Sequence, residues 1–74
     1  MTMTKAERRT AQAQAKRNQA LGRLRCVARG GAYACDAGKR GYRVLSFETM
    51  YSCVVAADVL KAGMDEGLDI KVTL

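Results

Sequence analysis

The 74-residue chain has no histidine, no tryptophan and no proline, and it holds one phenylalanine and three tyrosines. Each absence removes a class of chemistry. Histidine is the side chain whose unperturbed pKa lies nearest neutrality. Without it neither a Ser-His-Asp relay nor a histidine-activated thiol can be assembled. The carboxylates that remain, Asp65-Glu66 and Asp58, read as solvated charges at a turn and a helix end. The three cysteines, Cys26, Cys35 and Cys53, are isolated from one another in sequence. Structural zinc needs four ligands, usually in two close pairs. The composition therefore implies no enzyme, no metal site and no cofactor.

An odd cysteine count is unlike a secreted disulfide scaffold and implies reduced thiols in a cytoplasmic setting. No apolar run approaches the roughly 18 residues of a membrane span. No apolar stretch follows the basic start, so no secretory signal is expected. The same start is rich in arginine and alanine, but it lacks the serines and the leucine or aromatic face of an organelle transit peptide. Basic residues opposed by alanine and glutamine do not make a membrane-surface helix either. Gly38-Lys39-Arg40-Gly41 invites comparison with a phosphate-binding P-loop. Tyr33 stands where that motif needs glycine and Arg40 where it needs serine or threonine, so the match fails.

What the chain does have is charge, unevenly placed. Residues 1–25 carry seven bases (Lys5, Arg8, Arg9, Lys16, Arg17, Arg23, Arg25) against Glu7, whereas residues 26–74 carry six of each sign. The net charge of +6 therefore belongs to the first third. This asymmetry predicts a basic helical arm over 1–22 and a small α+β core domain over 23–74. A core of that size buries little and needs a docked arm, a second copy or a larger target.

The pattern of residues predicts the element order α-β-β-β-α-β. Thr4-Lys5-Ala6-Glu7 has the form of a capping box. The good helix formers that follow predict a helix over about 4–21, with Gly22 as its stop. Alanines dominate its apolar positions, so it has few large side chains with which to dock. Arg23–Arg29 alternates and reads as a strand, with Leu24, Cys26 and Ala28 on one face. Gly30-Gly31 reads as a two-residue hairpin turn into Ala32–Cys35. That register sets Cys26 opposite Cys35, a pair close enough to bond if oxidised. Tyr42–Phe47 reads as a third strand. Glu48–Ala62 reads as a second helix with Met50, Cys53, Val54, Ala57 and Leu60 inward, capped by Ser46 or Thr49 and ended by Gly63. Asp69–Leu74 reads as a terminal strand. The expected fold is α+β, a basic helix followed by β-β-β-α-β, with a mainly antiparallel sheet and one helix packed on it.

The helix-strand-strand-strand-helix order resembles that of double-stranded-RNA-binding domains over about residues 4–62. That family grips phosphates with lysines at the start of its last helix. Here the corresponding stretch, Glu48-Thr49-Met50-Tyr51-Ser52-Cys53, holds no lysine, so its binding residues do not carry over. In size and general make-up the chain resembles the small inhibitors encoded by phages and mobile elements, anti-CRISPR proteins among them. No residue motif defines that group. The resemblance implies a protein or nucleoprotein partner.

The expected function is therefore a non-enzymatic binding protein. It would inhibit or modulate a nucleic-acid-handling complex, such as a host defence system, through its basic N-terminal segment. The expected contacts are Arg8, Arg9, Lys16, Arg17, Arg23 and Arg25, extended by Lys39 and Arg40, with Tyr33 or Tyr42 available to stack on a base. The alternatives are direct nucleic-acid binding and a homo-oligomer, such as a homodimer, whose arms pack together.

Overall fold

The structure is a computed structural model that describes residues 2–73. Its elements are α1 (Lys5–Val27), β1 (Ala32–Asp36), a short 3-10 turn (Gly38–Arg40), β2 (Tyr42–Ser46), β3 (Ser52–Val55), α2 (Ala57–Asp65) and β4 (Ile70–Thr73). The α+β class and the α-β-β-β-α-β order hold. Two of the elements are not those the sequence pattern suggested, however, and both differences shape the functional surface.

The first difference is the length of α1. Thr4 caps it as expected, its hydroxyl oxygen accepting from the Glu7 amide at 3.2 Å. Glu7 accepts a hydrogen bond from the Thr4 hydroxyl rather than reaching the cap's own amide. The helix does not stop at Gly22 but runs on to Val27. Arg23–Arg29 is therefore not a strand. Leu21, Leu24, Val27 and Ala28 recur at helical spacing, and as a helix they form one stripe. As a strand Val27 would have faced away from Leu24 and Ala28. Leu24 is wholly buried, and Val27 and Ala28 nearly so. Tertiary burial thus overrides the alternation of arginines. Gly30 and Gly31 end the helix instead, both with positive φ (84° and 99°). A side chain at Gly31 would also press on the Phe47 ring, at 2.8 Å. With no hairpin at this point, Cys26 and Cys35 are not cross-strand partners, and all three thiols are free.

The second difference lies at 48–62. A turn replaces the expected helix start: the Ser46 hydroxyl accepts from the amides of Glu48 and Thr49, and the Thr49 hydroxyl accepts from that of Tyr51. Met50, expected inward, is 97% exposed. Ser52–Val55 pairs with β2 as a strand, in keeping with its β-branched valines. Only then does α2 begin, and it buries Val59, Leu60 and Gly63. Gly63 allows a close crossing of the helices, since a Cβ there would sit 2.6 Å from Leu24 Cδ2.

The sheet order is β3-β2-β1-β4. β1–β2 and β2–β3 are antiparallel, whereas β4 runs parallel to β1. The sheet is therefore mixed, and β3-α2-β4 forms a split β-α-β unit whose parallel strands flank the β1–β2 hairpin. Strand alternation turns Ala32, Ala34, Val44, Val55 and Ile70 toward the helices, where they meet Leu24, Val27, Val59 and Leu60 in one core. The opposite face carries Tyr33, Arg43, Val54 and Lys71, all exposed. Two helices pack on the sheet rather than one, because α1 reaches back across β3 and β2 and against α2. No helix among the described residues is long and apolar enough to cross a membrane.

Candidate polyanion-binding surface

α1 has two halves. From Ala20 onward it docks on the core. From Lys5 to Gln19 every residue is exposed, a span of about 22 Å at 1.5 Å per residue. The molecule measures 46 × 24 × 21 Å, and this half of the helix accounts for much of the long dimension.

The expected contact residues divide into two groups by their position around α1. Two of the arginines are tied to α2. Arg25 donates through Nε to Glu66 Oε2 at 2.9 Å and through Nη2 to Oε1, a bidentate pair that joins the end of α1 to the end of α2. The arginine's hydrogen bonds hold the Glu66 carboxyl below the usual carboxylate range, and that carboxylate in turn raises the pKa of Arg25. Arg17 Nε lies 3.5 Å from Asp58 Oδ2, in the first turn of α2. Asp58 and Glu66 are therefore ion-pair partners rather than merely solvated charges. Both pairs link residues some forty positions apart, and nothing in the local sequence marks them.

The second group is unpaired. At about 100° per residue, Lys5, Arg9, Lys16 and Arg23 fall within about 40° of one another around the helix axis. Gln12 and Gln19 fill the gaps along the same flank. Among the described residues the only ion pairs are those of Arg17 and Arg25, so this stripe keeps its full charge. Arg8 lies on the adjoining flank and is exposed. Arg23 is close enough to Cys53 to act on its thiol. Burial pushes the Cys53 pKa up, and the Arg23 charge draws it partly back.

Lys39 and Arg40 sit at the exposed tip of the β1–β2 connection. The tip is held by the Asp36 carboxylate, which accepts from the Gly38 amide at 2.7 Å, and by the Ala37 amide, which donates to the Gly41 carbonyl. Gly41 takes φ 107° and lies so close to Val55 and Ala56 that a Cβ would strike the Val55 carbonyl. This contact fixes the tip against the end of β3. Lys16 and Arg17 face Val55 and Ala56 from the other side, across a groove of about 540 Å³. The fold thus brings the tip and the middle of α1 to one end of the molecule. Tyr42 is half-buried against the core. Tyr33 is on the open sheet face, its ring centroid 5.4 Å from that of Phe47, with Lys71 Nζ 6.0 Å from the Phe47 centroid.

No polar or charged side chain among the described residues is buried, and none of them form a cluster of three or more metal-ligating groups. The side chains gathered here are solvated cations and amides on one continuous helix, suited to contacting anions. The fold and this surface define a small two-layer α+β protein with a charged helical extension. Set against protein-family models, curated proteins and solved structures, the chain matches none of them.

Proposed function

We propose that the protein is a non-enzymatic binding protein that modulates a nucleoprotein complex by laying α1 against the phosphates of its nucleic acid. The observation that carries this reading is the unpaired stripe of Lys5, Arg9, Lys16 and Arg23 on a helix that projects from its own core. A helix that served only to cover the sheet would present large apolar residues along its length. This one has none between Met3 and Leu21. The contacts are to backbone charge, which lysine and arginine neutralise whatever the base sequence. Lys39 and Arg40 extend the surface at the same end. The three free thiols suit a reducing compartment, the cytoplasm.

Binding of duplex and single-stranded oligonucleotides by mobility shift across a salt series tests the reading. Four phosphate contacts on B-DNA give a log–log slope of about −3.6, or roughly 150-fold weaker binding between 50 and 200 mM salt. Glutamine at Lys5, Arg9, Lys16 and Arg23 together is expected to abolish the shift. Arg17→Gln and Arg25→Gln are expected to leave the slope nearly unchanged, since those charges are already satisfied by α2. A flat salt response, or a quadruple variant that binds as the wild type does, refutes the proposal.

A further inference from the structure

The edge of the sheet beside α1 is left open in a way that the opposite edge is not. β3 is the terminal strand of the order β3-β2-β1-β4. Its pairing with β2 is uninterrupted from Val55 to Ser52, with no bulge. The Ser46 amide donates to the Tyr51 carbonyl at 3.1 Å, which makes Ser46 and Tyr51 a hydrogen-bonded pair. In an antiparallel ladder such pairs alternate with non-bonded ones. Cys53 and Val55 therefore also aim their backbone groups at β2, while Ser52 and Val54 aim theirs outward. Two N–H and two C=O groups point away from the sheet, and no described strand lies beyond them.

Proteins usually protect such an edge with charge, proline, a bulge or a covering element. β4, at the far edge, carries Lys71. Tyr51-Ser52-Cys53-Val54-Val55-Ala56 carries no charged residue and no proline. α1 does not seal it. A recess of about 390 Å³ separates Arg23 and Cys26 from Tyr51, Ser52 and Cys53. The larger groove separates Ala13, Lys16 and Ala20 from Val54 and Val55. The order of these contacts shows that α1 runs antiparallel to β3. The rise from Lys16 to Arg23 is about 10 Å, which matches the roughly 10 Å length of β3.

The charges beside this edge decide what can occupy it. Lys16 and Arg23 border it on the helix side. Arg43 lies directly across from Val54 on the open face, and Arg40 lines the recess next to it. The acids among the residues that line these recesses are Asp58, which is paired with Arg17, and Asp36, which accepts the Gly38 amide. A second copy pairing edge to edge would set its own Lys16, Arg23 and Arg43 against these same cations. An acidic strand would instead meet them with opposite charge, and would satisfy the outward backbone groups. We infer that the free edge of β3 is a strand-addition site for an extended, acidic segment of a partner protein. This surface shares Lys16, Arg23 and Arg40 with the proposed phosphate-contacting residues, but its strand pairing uses the β3 backbone and does not depend on nucleic-acid binding.

The test uses the full chain and a fluorescent eight-residue peptide of alternating glutamate and valine, with a lysine–valine peptide as its counterpart. Anisotropy is expected to show saturable binding of the acidic peptide and at least tenfold weaker binding of the basic one. Val54→Pro removes an outward N–H and spares every bond to β2, a substitution that edge strands accept. It is expected to weaken acidic-peptide binding at least tenfold. Should that variant fail to fold, Val54→Glu keeps the backbone intact, sets a like charge beside the peptide, and is expected to weaken binding by a similar factor. Hydrogen exchange gives a readout that simple charge attraction would not produce. The Ser52 and Val54 amides exchange freely in the isolated chain and slow on peptide binding, while Cys53 and Val55 are protected throughout. The inference is overturned if the acidic peptide does not bind, or if it binds both variants as well as wild type. It is also overturned if the two amides do not slow, or if light scattering shows wild-type dimers that Val54→Pro dissolves, which would make a second copy the occupant.

Discussion

Gly22→Ala separates the two descriptions of the N-terminal segment by sign. Were Gly22 the residue just past a helix end, it would hold a left-handed conformation, and alanine there would cost about 1–2 kcal/mol. In the structure Gly22 lies inside α1 and is not among the glycines with positive φ. An added Cβ meets nothing within 4 Å, so there is no clash to set against the gain. The expected effect is then the helix-propensity difference alone, about 0.8–1.0 kcal/mol in favour of alanine. For a domain of this size that raises the melting temperature by roughly 4–8 °C. Thermal unfolding followed by far-UV dichroism, on wild type and variant in the same buffer, measures it directly. The recess beside Tyr51 and Cys53 includes Gly22 in its wall, so the new methyl group enters open space. A melting temperature that falls refutes a continuous α1, and with it the placement of Arg23 on the same stripe as Lys5, Arg9 and Lys16.

Other expectations concern how α1 is held. Leu24→Ala empties one of the two largest fully buried side-chain sites and is expected to cost about 3–5 kcal/mol. Total stability for 74 residues is roughly 4–11 kcal/mol, so urea denaturation should show a variant near or past the edge of folding. A loss under 1 kcal/mol would mean that docking of α1 contributes little. The Arg25–Glu66 pair predicts an acid dependence. Because the Glu66 pKa is depressed in the folded state, its contribution is present above the ordinary glutamate value of about 4.3 and is lost as pH falls through the lower folded value. Glu66→Gln should therefore flatten that part of the stability–pH curve in denaturation run below pH 5. A variant curve parallel to wild type would show that the pair has no such role.

The local features of the chain were readable because they depend on neighbours in sequence. The Thr4 cap needs only Glu7 three residues on. The strands at 32–36, 42–46 and 70–73 show their alternation directly. The errors fell where one stretch fits two periods. Arg23–Arg29 alternates as a strand, yet its Leu24, Val27 and Ala28 also satisfy a helix. The docking partners on the sheet and on α2 chose the helix. Residues 48–62 fit a helical stripe through Met50, Cys53 and Val54, but pairing with β2 claimed Ser52–Val55 and left Met50 in solvent.

The charge asymmetry and the dearth of large apolar residues in the first twenty positions were set by composition alone; the α-β-β-β-α-β order held, but one of its strands lies at 52–55 and not at 23–29. The sequence also determined which residues could carry charge to a partner. Only the tertiary structure decided which of them remain available. Ion pairing depends on elements far apart in the chain coming together, and here α2 takes up Arg17 and Arg25 through Asp58 and Glu66. The unbroken helix then gathers Lys5, Arg9, Lys16 and Arg23 onto one flank, a grouping that a break at Gly22 would have divided. The same packing left β3 at the edge of the sheet with its outward backbone groups open, because strand order is fixed by which surfaces bury best together and not by any one residue.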